Sequence, residues 1–398
     1  MKMNMNNKQF IWHAGELPFY WGPLTAPHNG FGLPDSLPFS ISVEVESGRL
    51  YQLYNAQTEI ALTEAYKLGS QISGMMEDEG IGKRYADDFL AYICQILDNK
   101  EKLQGAKILE IGCGSGYLLS RLQHEGANVL GIEPGVHCQE GAFKYNVPII
   151  HDFFPSEKVT EQFDIIIAYN VLEHILDPLN FLEKIKLALA PGGRLIIGVP
   201  DCEPFIKAGD ISIFIHEHWS YFTTHTLINT LKRAGADNVI TGLAKFGGDV
   251  YACCTFSNQS AEVDHLCIEQ SIQAAEGFKY KAEEGINILK KLLKERLNQS
   301  IGIFVAPRIM NILPQIMLSQ PIDNLRFFDD NPKYENKYFP CLNIPIESRK
   351  NLIHKPLDTL LIMSRTFGEK IKRELEASLS GQTKIITWSE IYSSKNVK

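Results

Sequence analysis

The sequence predicts an α/β protein whose centre is a doubly wound sheet, and three observations carry that expectation. Short apolar runs alternate with helical patterns from about residue 107 onward. The first run ends in a glycine turn, Glu110-Ile-Gly-Cys-Gly-Ser-Gly116, and the next ends on an acid, Glu133. Alternation of this kind buries parallel strands between two helical layers and places ligands at the carboxyl ends of the strands.

Taken in order, residues 1–75 form a small, loop-rich domain. LPFYWGPLTAPHNGFGLPDSLPF is dense in Pro, Gly and aromatics, and only ISVEVESGRLYQLY reads as a strand, so this part is expected to cover something else. Residues 76–260 open with the helical pattern RYADDFLAYICQILDN. They continue through AKILEIGCGSG, NVLGIEP, VPIIHDF, FDIIIAYN, FLEKIKLALA, GGRLIIGVP, HTLINTLKRAGA and DVYACCTF. An amphipathic stretch, about 262–298, leads into residues 261–398, where SIGIFVAP, NLRFFDD and DTLLIMS read as buried strands of a second, smaller α/β unit.

Length and composition agree with a folded, multidomain protein: 398 residues, 44% apolar and 22% charged. The net charge of −8 carries no basic footprint, so no nucleic acid and no anionic membrane is expected as a partner. No stretch reaches the roughly 20 apolar residues of a membrane span, and the first residues lack a signal-peptide core, which predicts a cytoplasmic protein. The eight cysteines never form CxxC, so no zinc ribbon or thioredoxin-like site is expected, and Cys253-Cys254 reads as a pair of small buried hydrophobes.

In the glycine turn, Gly112, Gly114 and Gly116 let the backbone fold tightly and present N–H groups to a polar ligand at a helix N-terminus. Glu133 stands where a ribose-binding acid belongs in such a fold. A dinucleotide dehydrogenase calls for G-x-G-x-x-G; this chain has G-x-G-x-G preceded by an acid.

ExGCGxG resembles the motif of the class I S-adenosylmethionine-dependent methyltransferases, whose central domain is Rossmann-like. The resemblance implies S-adenosyl-L-methionine as cofactor, its methionine part held by Glu110, Gly112, Gly114 and Gly116 and its ribose hydroxyls by Glu133. It further implies Asp152, in IIHDFF, at the adenine amine. FDIIIAYNVLEHILDP resembles the D-x-x-x-x-x-x-V-L-E-H signature of the family, which sets Asn170, Glu173 and His174 at the cofactor mouth.

FIHEHWSYFTTHTL carries His216, Glu217 and His218 in a row. On an extended segment His216 and His218 share one face and Glu217 the other. The triplet reads as a polar strand end, as a metal-ligand pair with His225 as the third ligand in view, or as an acid/base cluster. Histidine moves protons near neutral pH, and an adjacent carboxylate orients it.

HEHWSYFTTHTL is similar to the HEH-x-x-YF stretch of sugar-nucleotide C-methyltransferases, three-domain enzymes acting beside the ketone of a nucleotide-linked keto-deoxysugar. FFDDNPKYENKYFPCLNIPI and LIMSRTFGEKIKREL resemble segments of their C-terminal domain. The resemblance implies an enolate formed by His218 with help from Glu217 and His216, and a nucleotide sugar as small-molecule substrate. Three departures stand out. Ile215 replaces a tyrosine before the triplet, and no cysteine precedes Cys94 where the family holds zinc, so no metal is expected. IFVAPRIMN replaces a glycine-rich turn, leaving Arg308 as a phosphate partner. Tyr66, in EAYKLGSQISG, lies near the family's Y-x-Y-x-S-S motif and is a source for the missing hydroxyl. O- or N-methylation of a sugar or small metabolite, and a non-catalytic binding module, are the competing functions.

Overall fold

The structure, a computed structural model, describes residues 8–69, 76–97, 100–257, 263–305, 311–313, 324–379, 381 and 383–392. By contacts the chain forms two compact units: Met1–Phe10, Ile41–Glu203 and Glu217–Gln273 in one, Ile11–Ser40, Pro204–His216 and Ala274–Lys398 in the other. The division therefore cuts through the stretch expected as an N-terminal domain and through the histidine triplet itself.

Three strands lie ahead of the central sheet: β1 (Lys8–Pro18), β2 (Ser36–Glu44) and β3 (Leu50–Gln52). In the first unit the end of β2 pairs antiparallel with β3, Ile41 opposite Gln52 and Val43 opposite Leu50. The helix Ala56–Leu68 follows. Asn55 caps its start by accepting from the N–H groups of Gln57 and Thr58, and Gly69, at φ +86°, ends it in a left-handed turn.

The central sheet holds β4 (Lys107–Ile111), β5 (Asn128–Glu133), β6 (Ile149–His151), β7 (Phe163–Tyr169) and β8 (Leu189–Pro200). A two-residue strand, β9 (Ser220–Tyr221), pairs with β3, and β10 (Ala236–Leu243) and β11 (Asp249–Phe256) complete the sheet. The order is β10-β11-β8-β7-β4-β5-β6. β4 pairs in parallel with both β5 and β7, so strand order reverses there and a crevice opens above the β4 and β7 ends. β11 runs antiparallel to β8 and to β10, a mixed edge on an otherwise parallel sheet.

Both faces are covered. Ala86, Phe89 and Ile93 of the helix Gly80–Ile96 pack with Leu118 and Leu122 on one side. Phe181 and Ile185 pack with Leu227 and Leu231 on the other. The helix Thr224–Arg233 starts on a reciprocal capping box between Thr223 and Thr226, the physical basis of the TTHTL segment.

The second unit contains a five-stranded parallel sheet of order β14-β13-β12-β15-β16: β12 (Ile301–Phe304), β13 (Leu325–Phe328), β14 (Ile346–Glu347), β15 (Thr359–Ile362) and β16 (Lys384–Thr387). SIGIFVAP, NLRFFDD and DTLLIMS supply β12, β13 and β15, as their apolar runs imply. The amphipathic stretch is one helix, His265–Lys294. Arg308 lies outside the described residues. Among the described residues no helix is long and apolar enough to cross a membrane.

Candidate active site

A cavity of about 340 Å³ opens where β4, β5 and β7 end, and every residue lining it belongs to the first unit. The chain turns out of β4 at Gly112, whose φ of +69° and whose neighbour Val171 both exclude a side chain; a Cβ there would stand 2.5 Å from a Val171 methyl. Gly116, at φ +81°, caps the helix Tyr117–His124, so the turn delivers the chain into a helix as its spacing predicts.

Glu133 is held ready by the backbone. Gly114 N–H donates to its Oε2 at 3.0 Å and Gly135 N–H to its Oε1 at 2.7 Å. One lone pair remains on each oxygen, the number that a ribose diol needs. Glu110 is buried, and its Oε2 has no hydrogen-bond partner among the described residues. Burial, reinforced by the nearby Glu133 carboxylate, raises its pKa well above the usual range. Asn170 sits at φ +51° with its Oδ1 likewise buried and unpartnered, and it also lines the cavity.

S-Adenosylmethionine carries an ammonium, a sulfonium and two ribose hydroxyls. Unpartnered acceptors at Glu110 and Asn170, a backbone cradle closed to any Cβ, and a preorganised Glu133 fit those groups.

Asp152 departs from expectation. It does not line the cavity; its carboxylate accepts from Phe153 N–H and Ser156 Oγ and pairs with Lys158, which together hold its pKa low. The lining at that point comes from Phe153 and Phe154. Two consecutive phenylalanines directly after the acid are the signal in the sequence for this lining. His137, one turn beyond Glu133, also lines the cavity; its Nε2 lies 4.0 Å from Glu133 Oε1 and is buried without a partner among the described residues.

At the other end the structure assembles three chain segments. The helix Ala56–Leu68 brings Tyr66, the short turn Leu172–His174 brings Glu173 and His174, and the turn after His216 brings Glu217 and His218. Trp219 N–H donates to Glu173 O at 2.8 Å, tying two of these segments together through main chain. His174 Nδ1 is 3.1 Å from Glu217 O and 3.0 Å from Tyr66 Oη. A carbonyl only accepts, so Nδ1 carries the proton and Nε2 keeps its lone pair, 3.7 Å from Glu173 Oε1. The His218 ring stands edge-on to His174 with centroids 4.8 Å apart.

Burial dominates the electrostatics here. It lowers the His174 pKa to about 4, against a smaller opposing effect of the Glu217 carbonyl, and leaves the imidazole neutral at pH 7. It raises Glu173 well above the usual carboxyl range, and it raises Tyr66 together with the Glu217 and Glu173 carboxylates. Tyr66 and His174 line the cavity directly, and Glu217 and His218 contact His174.

His216 does not join this cluster. It lies in the second unit, 2% exposed, its Nε2 3.1 Å from Leu37 O and its ring against Phe19 and Phe39. The triplet is a turn and not a strand, so the expected shared face of His216 and His218 does not exist. His225 is exposed on the helix Thr224–Arg233. Among the described residues, Glu173, His174 and His218 place one nitrogen or oxygen atom each within 4.8 Å of one another. Glu173 and His174 are neighbours, and His218 lies 44 residues further along the chain.

Comparisons with known proteins bear on the same region. Residues 81–240 match a family model described as a methyltransferase domain. A tRNA U34 carboxymethyltransferase of Pseudoalteromonas translucida (strain TAC 125) is 37% identical over 111 residues, covering 26% of this chain and 34% of that protein. A ubiquinone biosynthesis O-methyltransferase of Aeromonas salmonicida (strain A449) is 28% identical over 158 residues, covering 38% and 66%. The chain thus spans between about a third and two thirds of the length of these relatives. Among solved structures, magnesium protoporphyrin IX methyltransferase from Synechocystis PCC 6803 with bound SAH aligns over 44% of this chain and 85% of its own, at 16% identity and a TM-score of 0.36, too slight to bear on function.

These relatives overturn one expectation. Proteins named for tRNA modification match about a quarter of this chain, so a net charge of −8 does not exclude nucleic acid, because a total over 398 residues is blind to a local patch. The nucleotide-sugar partner inferred with that exclusion finds no support among them. What the glycine turn, Glu133 and the matched segment establish together is narrower: residues 81–240 match a methyltransferase domain, and the cavity they largely line presents groups that fit S-adenosylmethionine.

Proposed function

We propose that this chain transfers a methyl group to a carbon acid, the carbon beside the ketone of a keto-deoxysugar, by way of an enolate. One observation carries the reading: Tyr66, Glu173, His174, Glu217 and His218 converge at one end of the cofactor cavity. A heteroatom acceptor has a lone pair and needs little more than orientation. A carbon must first lose a proton, which calls for a base and for donors to the developing oxyanion.

In this reading Glu110, Gly112, Gly114 and Asn170 hold the methionine part of the cofactor and Glu133 its ribose. Bound S-adenosylmethionine supplies an electrophilic methyl group. Tyr66 donates to the ketone oxygen, and the closed, largely buried cluster keeps water from the enolate. Neutral His174, fixed by the Glu217 carbonyl, orients His218, which accepts the carbon-bound proton with Glu217 balancing its charge.

The second reading is methylation of oxygen or nitrogen, favoured by the relatives named as ubiquinone biosynthesis O-methyltransferases. Methyl-labelled cofactor, offered with keto-sugars free and nucleotide-linked, phenolic small molecules and bulk tRNA, separates them when the label is located by NMR. Carbon-bound label in a keto-sugar is the expected result. Label on oxygen or nitrogen, or in tRNA, replaces it. With S-adenosylhomocysteine bound, the α-proton of a true keto-sugar substrate should also exchange with deuterated water.

A further inference from the structure

We infer that His137 is a further cofactor-binding residue: its Nε2 and Glu133 Oε1 hold the same ribose hydroxyl of S-adenosylmethionine between them, so that an imidazole and a carboxylate read the ribose together. This role rests on the reading of the cavity as the S-adenosylmethionine site and gives that site a residue which neither the glycine turn nor the strand-end acid announces.

The chain sets the ring in place without using it for the helix. Glu133 closes β5, and a short turn through Pro134, Gly135 and Val136 brings His137 to the N-cap of the helix Cys138–Tyr145. A side chain at that position ordinarily accepts from the first helical N–H groups, and His137 makes no such bond. Two glycines shape the slot that the ring fills. A Cβ at Gly135 would stand 2.5 Å from the His137 Cε1, and one at Gly69, where the helix carrying Tyr66 ends, would stand 3.3 Å from Nδ1. The ring lies in the cavity wall beside Glu133 and Pro134.

The separation of the two polar groups decides what fits between them. Nε2 and Glu133 Oε1 are 4.0 Å apart, too far for a direct hydrogen bond. One oxygen held about 2.8 Å from each would see them at an angle of roughly 90°, which suits a hydroxyl that donates once and accepts once. Oε1 already accepts from Gly135 N–H at 2.7 Å and keeps one lone pair. Nε2 is buried with no hydrogen-bond partner among the described residues, a cost that a ligand oxygen removes.

The direction of the bonds follows from the groups. A carboxylate only accepts, so the hydroxyl gives its proton to Glu133, and its lone pair receives the proton carried on Nε2. The imidazole approaches Oε1, whereas Oε2 is held by Gly114 N–H. The two ribose hydroxyls are therefore held unequally, one by two side chains and the other by Glu133 Oε2.

Full-length protein is titrated by calorimetry with S-adenosylhomocysteine and with its 2′-deoxy and 3′-deoxy forms, using unmodified protein, His137→Ala and His137→Gln. His137→Ala is expected to weaken S-adenosylhomocysteine about three- to tenfold, the worth of one neutral hydrogen bond. The same substitution should change the affinity for one deoxy form by less than about twofold, because the hydroxyl that His137 holds is already gone, and should weaken the other as much as the parent. His137→Gln, whose amide also donates, should recover part of the loss. An affinity for S-adenosylhomocysteine that His137→Ala leaves within about twofold overturns the inference, as does an equal loss for all three ligands, which would make the ring a packing group. Where thermal unfolding shows that His137→Ala does not fold, His137→Phe keeps the ring and carries the same comparison. Unmodified protein that binds none of the three ligands overturns the cofactor reading and this role with it, whereas binding indifferent to His137 overturns this role alone.

Discussion

The two ends of the cavity are built in opposite ways. The cofactor end comes from consecutive strand ends, Glu110 to Gly116 after β4 and Glu133 at the close of β5, and its key bonds are backbone N–H groups meeting one carboxylate. The acceptor end comes from segments around residues 66, 173 and 217, over a hundred residues apart at the extremes, where side chains meet side chains, Tyr66 on His174 and His174 on His218, across segments joined by main-chain bonds. A site of the first kind is written in spacing. A site of the second kind is written in tertiary structure.

That contrast can be tested by substitution. The largest effect is expected at the acceptor end: His218→Asn lowers turnover roughly 10²–10⁴-fold, the usual contribution of a general base. Single-turnover kinetics beside calorimetry should show cofactor affinity within about threefold of the unmodified protein. A parallel loss of cofactor binding would mean the two ends are not separate.

The next largest effect is expected at the cofactor end. Glu133→Ala removes two charge-assisted bonds to ribose and should weaken S-adenosylmethionine by about 2–4 kcal/mol in calorimetry. Unchanged affinity would move the ribose elsewhere.

His216→Ala probes a residue that the sequence grouped with the site and the structure does not. It should lower stability by about 1–3 kcal/mol in urea unfolding, by leaving the Leu37 carbonyl unpaired and a cavity beside Phe39, with the chemical step untouched. A hundredfold fall in turnover in protein that stays folded would restore it to the site. The smallest effect belongs to Asp152→Asn. Its carboxylate is committed to Ser156 and Lys158, so cofactor affinity should change by less than about 0.5 kcal/mol.

Both doubly wound sheets were legible, because buried parallel strands leave unbroken apolar runs such as KILEI and FDIIIAY, and glycines with positive φ mark the turn between strand and helix. The antiparallel course of β11 was not, since DVYACCTF looks the same in either direction. Nor was β10, whose residues alternate weakly along an exposed edge. His216 and His218 were placed together by a strand periodicity that the turn at His216–Glu217 abolishes. The grouping of Glu173, His174 and His218 needed the Trp219–Glu173 main-chain bond, which no side-chain pattern announces.

That same main-chain bond, with the His174 ring resting on the Glu217 carbonyl, has an evolutionary corollary. The carbonyl and amide that join the two segments are present whatever residues stand at 217 and 218. Chemistry at the acceptor end can therefore be exchanged by point mutation while the scaffold keeps its shape, so one ancestral frame could serve carbon, oxygen or nitrogen acceptors in different descendants without a change of fold.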